Sequence, residues 1–150
     1  MQLYLVRHGA ALANAIDGDR SLSELGQQQV AQLADYFAQH CPQPLDIFHS
    51  GILRACQTAE AIAQQRQVHT LQAISGLMPQ DDPSPMLLNI AAWQRDTVLV
   101  GHLPYMQILL IDLVGASGLN IEFSPATAVC VAQIDQHWQI QWQFSPSRLG

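Results

Sequence analysis

The sequence predicts an α/β fold: a three-layer α/β/α sandwich with a mostly parallel sheet and an antiparallel carboxyl-terminal edge. Three observations carry that prediction. Short apolar runs, LYLV at 3–6, LDIF at 45–48 and TVLV at 97–100, have the length and composition of strands packed on both faces. The segments between them place apolar residues at helical spacing, as Val30, Leu33, Ala34 and Phe37 do. The chain closes on two strand-like stretches with no helix between them, TAVCVAQI and WQIQWQF, which suits an antiparallel hairpin on the sheet edge.

Each element has a local reason. The first strand stops at Arg7-His8-Gly9, and a polar loop, GAALANAIDGDRSL, leads to a helix for which Ser23 is the expected cap, with Ser21 and Glu24 as an alternative capping box. His40-Cys41-Pro42 ends that helix, because proline cannot continue it. LDIFHS (45–50) reads as the second strand and Ser50 as the cap of a helix over 51–65, with Cys56, Ala59, Ile62 and Ala63 turned inward. VHTLQ (68–72) supplies a third strand. Residues 75–86, SGLMPQDDPSPM, combine prolines with adjacent aspartates and read as a loop that overhangs a site, followed by a short helix over 85–93. DTVLVGH (96–102) repeats the opening pattern, and Pro104 is placed to begin a helix through Val114. In the last strand Trp138, Ile140, Trp142 and Phe144 alternate with Gln139, Gln141 and Gln143.

A chain of 150 residues fits a single domain over 1–150 and is long enough to bury an enzyme core. The formal net charge of -6 and a pI near 5.3 argue against nucleic acid or an anionic membrane as partner, since both require a basic face. There is no lysine, so neither a P-loop phosphate lysine nor Schiff-base chemistry is available. All six basic residues are arginine, and Arg7, Arg20 and Arg54 each lie beside a predicted strand end or helix start. Cys41, Cys56 and Cys130 are widely spaced, with no CxxC pair, and suit packed thiols in a reducing compartment. No apolar segment reaches the roughly 18 residues of a membrane span, and no charged n-region precedes an apolar stretch, so the expected location is cytoplasmic.

In a sheet of this class ligands bind outside the carboxyl ends of the strands, where His8 and His102 both fall. Arginine forks and helix amino termini bind anions, so Arg7, Arg54 and Arg20 are candidates to converge on one phosphoryl group. Cationic neighbours keep an imidazole neutral, and a neutral imidazole is a nucleophile. Gly9 is expected to let the backbone turn sharply and approach the ligand. His40, His49, His69 and His137 read as packing residues. No HxxxH, HExxH or HxH spacing occurs, Asp17-Gly18-Asp19 is a turn too short for a calcium loop, and Gly9 opens no GxGxxG pattern, so neither a metal nor a cofactor is expected.

LVRHGA at 5–10, SGILRACQTAE at 50–60 and VGH at 100–102 with Leu103-Pro104 are similar, in that order, to three signatures of the histidine phosphatase superfamily, whose fold is phosphoglycerate mutase-like. The whole chain, including the tail WQFSPSRL, resembles the short SixA-type phosphohistidine phosphatases. The resemblance implies that His8 is the phosphorylated nucleophile, that Arg7 and Arg54 clamp the phosphate, and that His102 is a second, phosphate-binding histidine. Arg20 resembles an additional arginine of the short branch. Two departures stand out. Gly51 replaces the proline usual at the first helical turn, with an expected loss of rigidity, and Leu103 stands where some larger members have an aspartate proton donor. An insertion that carries a glutamate donor in other members is missing here, which leaves Asp81 and Asp82 as candidate donors if they are more than a solvated turn.

The expected activity is therefore that of a metal-independent phosphatase with a phosphohistidine enzyme intermediate. Its expected partner is a phosphorylated histidine-containing protein, such as a phosphotransfer domain in signal transduction, and the chain itself is expected to be a monomer. A small-molecule phosphomonoester phosphatase and a non-catalytic phosphate-dependent binding module are the alternatives. A mutase-like transferase is disfavoured by the missing insertion and acid.

Overall fold

The predicted alternation of strand and helix is realised with boundaries displaced by a residue or two. The computed structural model describes residues 1–13, 19–41 and 43–147. In chain order the elements are β1 (Gln2–Arg7), α1 (Glu24–His40), β2 (Leu45–His49), α2 (Leu53–Ala63), β3 (Val68–Ala73), α3 (Ser84–Ala92), β4 (Thr97–Gly101), α4 (Tyr105–Val114), a 3₁₀ turn (Gly115–Asn120), β5 (Ala128–Ile134) and β6 (His137–Phe144). The strands form one sheet in the order β3-β2-β4-β1-β5-β6, with β1 to β4 mutually parallel and β5 antiparallel to both β1 and β6.

β1 is apolar throughout because both of its faces are covered. Tyr4 and Val6 join Val30, Leu33 and Phe37 of α1 and Ala55, Ala59 and Ile62 of α2 in one core layer. Leu3 and Leu5 join Met86 and Ile90 of α3 and Tyr105, Met106, Leu109 and Leu110 of α4 in the other. The sheet is thus the middle of three layers, as expected. After β1 the chain travels toward β2 and after β4 toward β5, in opposite directions from adjacent strands, so the β1/β4 boundary is the topological switch point where such sheets open a crevice.

Ser23 caps α1 as predicted, accepting the Gly26 N–H at 3.0 Å. Ser50 does not cap α2, which begins three residues later with Ile52 at its cap position and no side-chain cap bond. The reason is Gly51, which adopts φ +89° and turns the chain before the helix starts. Proline, with φ fixed near −65°, cannot take that conformation, so Gly51 changes the path of the turn and not merely its rigidity. Cys56 is also not inward: it is half-buried and donates to Glu60 Oε1 at 3.2 Å, while Ala55 and Thr58 join Ala59 and Ile62 on the buried face. Pro42, Asp17, Gly18 and the tail from Arg148 lie outside the described residues.

The alternation in β6 hides a bulge. Cys130 pairs with Trp142 but Val131 pairs with Ile140, so Gln141 is the extra residue. Trp142 and Phe144 consequently pack on the α1/α2 layer, whereas Trp138 and Ile140 pack on the α3/α4 layer. Asp135 (φ +53°) and Gln136 (φ +70°) make the tight turn between β5 and β6, as two-residue hairpins with left-handed central residues do.

Candidate active site

Register places the two histidines side by side. Arg7 of β1 pairs with Gly101 of β4, so His8 and His102 are the first residues past two adjacent strand ends, with ring centroids 5.0 Å apart. The His8 backbone is held on both sides: its N–H donates to Gly101 O and its carbonyl accepts from Ala126 N–H, each at 3.0 Å. A rigid sheet end therefore fixes where the imidazole can point.

Hydrogen bonding then fixes which nitrogen is free. His8 Nδ1 lies 2.7 Å from the Gly9 carbonyl, an acceptor only, so Nδ1 carries the hydrogen. Nε2 is left with a lone pair, toward which Arg54 Nε–H donates at 3.3 Å. Burial lowers the pKa of His8 to about 4; the Gly9 bond opposes that shift, and the charges of Arg54, Arg7 and Arg20 add to it. His102, 2% exposed, falls to about 3 through burial and then through His8, Arg54 and Arg7. Both rings are neutral near pH 7, so each has a bare nitrogen.

Arg7, His8, Arg20, Arg54 and His102 line one cavity of about 410 Å³, closed around by Ala10, Ala11, Pro79, Leu103 and Pro125. No carboxylate is among the described residues of that lining. Among the described residues the one ion pair is Arg95 with Asp46, so none of the three cavity arginines is in a salt bridge, although the charge of Asp19 acts on Arg54. Burial lowers the pKa of the Arg7 and Arg54 guanidiniums without discharging groups that titrate so far above neutrality. Arg7 is aimed by Phe123, whose carbonyl accepts from Nη1 at 2.8 Å, and its Nε is buried without a partner. Three guanidiniums outside any salt bridge, beside a neutral imidazole, can hold a tetrahedral oxyanion while a nitrogen lone pair faces its centre.

Three predicted members of the site are placed elsewhere. Gly9 is buried outside the cavity lining, and a Cβ there would lie 2.7 Å from Val30 Cγ1 and 3.0 Å from Gly26 O; it is glycine to let α1 approach, not to admit a ligand. Asp81 and Asp82 line a neighbouring cavity of about 560 Å³, in which Asp81 accepts the Met78 N–H and Asp82 the Ser84 N–H at the start of α3. The loop they occupy does overhang the site, through Pro79. The first N–H of α2, a predicted anion donor, is taken by Asp19 Oδ1 at 3.3 Å.

The remaining histidines are accounted for without a ligand: His49 is buried and accepts from Gly51 N–H, His40 stacks on Tyr36, and His69 and His137 are surface residues and not packing ones. Among the described residues no cluster of three His, Cys, Asp or Glu side chains is placed to hold a metal ion.

Sequence reasoning missed the residues that hold the site residues. Thr58 Oγ1 accepts the Gly9 N–H at 3.1 Å and donates to Arg54 O at 2.8 Å, tying the β1 loop to the first turn of α2. Its position four residues after Arg54 is the only signal in the sequence. Phe123 and Ala126 reach the site from far along the chain in a segment without periodicity, and no sequence pattern marks them.

An oxyanion cavity of arginine and neutral histidine, at the switch point of a parallel α/β sheet, defines a phosphoryl-handling class of site. The family described as histidine phosphatase superfamily (branch 1) matches residues 3–78, and the chain belongs to that superfamily. It is a phosphatase, with a SixA-like fold. An uncharacterized protein of Picosynechococcus sp. is 34% identical over 111 residues, 69% of this chain and 67% of that one. The protein histidine phosphatase SixA complexed with tungstate superposes with a TM-score of 0.86 at 22% identity, covering 97% of each chain. A putative phosphohistidine phosphatase SixA from Agrobacterium tumefaciens superposes at 0.83 with 27% identity, over 97% of this chain and 98% of that one. Among the described residues no helix is long and apolar enough to cross a membrane.

Proposed function

We propose that this protein is a metal-independent phosphohistidine phosphatase that becomes phosphorylated on His8 and acts on phosphohistidine carried by another protein. The observation that carries the reading is the unprotonated Nε2 of His8, which accepts from Arg54 Nε–H in a cavity lined, among the described residues, by three arginines and no carboxylate. His8 Nε2 attacks phosphorus in line as the bond from phosphorus to the substrate nitrogen breaks, and the departing imidazole takes a proton from solvent. Water then attacks the phosphorus on His8 as the bond to Nε2 breaks, its proton returns to solvent, inorganic phosphate leaves, and Nε2 recovers its lone pair. Arg7, Arg20, Arg54 and His102 hold the oxygens throughout, so catalysis is positioning and charge stabilisation. Support comes from the similar SixA protein complexed with tungstate, a tetrahedral oxyanion.

The test is to trap the intermediate. Brief exposure to a phosphoramidate donor is expected to leave an acid-labile, base-stable phosphoryl group on His8, and His8→Ala is expected to fold and show neither label nor turnover. A folded His8→Ala protein that retains the wild-type rate refutes the mechanism.

A further inference from the structure

Ser50 ends the segment beside that of His102, and its hydroxyl oxygen lies 2.7 Å from His102 Nε2. The same oxygen accepts the Ile52 N–H at 3.2 Å. Gly51 shapes this second bond: at φ +89° it folds the chain back so that Ile52 donates to the side chain two residues earlier. Donors and acceptors can then be counted. With Ile52 donating to Oγ, the Ser50 hydroxyl hydrogen has His102 Nε2 as its acceptor among the described contacts. The opposite arrangement, Nε2–H donating to Oγ, leaves both the Ser50 hydrogen and the Nδ1 lone pair without protein partners in a buried place. His102 is neutral and carries one ring hydrogen, which therefore sits on Nδ1. Nδ1 is buried with no partner of its own, and the ring lines the cavity of Arg7, His8 and Arg54.

We infer that Ser50 is a positioning residue that fixes His102 in its Nδ1–H tautomer, so that a neutral imidazole presents an N–H donor to a phosphoryl oxygen. A neutral donor adds a hydrogen bond to the transferring group without adding another cation beside His8, whose pKa burial and the arginines already lower. The tautomer is independent of the proposed reaction; only its effect on rate rests on that reading.

Two-bond ¹H–¹⁵N spectra of the full chain near pH 7.5 decide it, with His102→Gln used to assign the resonances. The wild type is expected to show a protonated Nδ1 and a bare Nε2 at His102. Ser50→Ala is expected to shift the ring toward the Nε2–H form, and Ser50→Thr to restore the wild-type pattern. In parallel, Ser50→Ala is expected to lower kcat/KM by about tenfold or more, as loss of an aligned oxyanion donor does, and to weaken vanadate inhibition, with most of both regained in Ser50→Thr. An Nε2–H tautomer in the wild type overturns the inference even if Ser50→Ala fails to fold, and so does an unchanged tautomer in folded Ser50→Ala. A wild type without phosphatase turnover refutes the proposed function, while the same spectra still decide the role of Ser50.

Discussion

The charge state of His8 is set first by burial and then by three arginines, and that has a measurable consequence for pH dependence. His8 titrates near 4 and His102 near 3 in the folded protein, against about 6.5 for histidine in an unfolded chain. Between those values the unfolded state binds protons that the native state refuses, so stability rises with pH across this window. Stability is fully present above about pH 6.5 and is lost progressively as pH falls toward 4. Urea unfolding at pH 7.5 and pH 5 is expected to show a smaller acid-induced loss in His8→Gln than in the wild type. Equal losses would show that His8 is solvated and its pKa ordinary. Under the proposed mechanism the nucleophile also stays neutral below pH 6, so the acid limb of kcat/KM due to His8 lies near 4 and not near 6.5.

The site depends on one close approach between two elements, α1 and the loop after β1. A Cβ at Gly26 would sit 1.9 Å from the Ala10 carbonyl oxygen, a backbone atom that cannot rotate away. Gly26→Ala must push α1 off the loop, and overpacking of this kind costs about 1–3 kcal/mol. A lower urea midpoint together with reduced turnover is expected, since Gly9 and Ala10 follow His8 directly; an unchanged midpoint would mean that α1 sits farther from the loop. Nothing in the sequence marks Gly26 for this role. Periodicity revealed α1 and α2 because it reports which face is apolar, Pro104 marked the start of α4, and three apolar runs revealed three of the four parallel strands. It is blind to backbone against backbone, as at Gly26 and Gly9, and to the bulge at Gln141, where an unbroken alternation of residue types spans a register shift. The motifs located Arg7, His8, Arg54 and His102 because these directly end a strand or open a helix. Asp81 and Asp82 line the neighbouring cavity because the course of an irregular loop is set by its own turns and caps, here the Met78 and Ser84 N–H groups.

At the scale of the molecule, an acidic chain of net charge -6 concentrates three of its six arginines on one cavity, and no acid is among the described residues that line it. The two features act on different substrates in different ways. Cleaving an alkyl phosphate ester expels an alkoxide that needs a strong general acid, and the lining of Arg7, His8, Arg20, Arg54 and His102 has none to give while both histidines stay neutral down to about pH 4. A phosphorus–nitrogen bond to imidazole breaks without that help, because the departing nitrogen takes a proton readily near neutral pH. The missing acid therefore discriminates between leaving groups before any contact with the rest of the substrate is counted. On the proposed reading, kcat/KM for a phosphohistidine-bearing protein or a phosphoramidate is expected to exceed that for sugar phosphates and phosphoglycerates by at least about tenfold, roughly 1.4 kcal/mol of transition-state preference. Both substrate classes should be measured with one preparation at one pH, because the His8 charge state sets the nucleophile for each alike. A preference for a small phosphate ester would require a proton donor that is not among the described lining residues, and would make a small-molecule phosphatase the better reading.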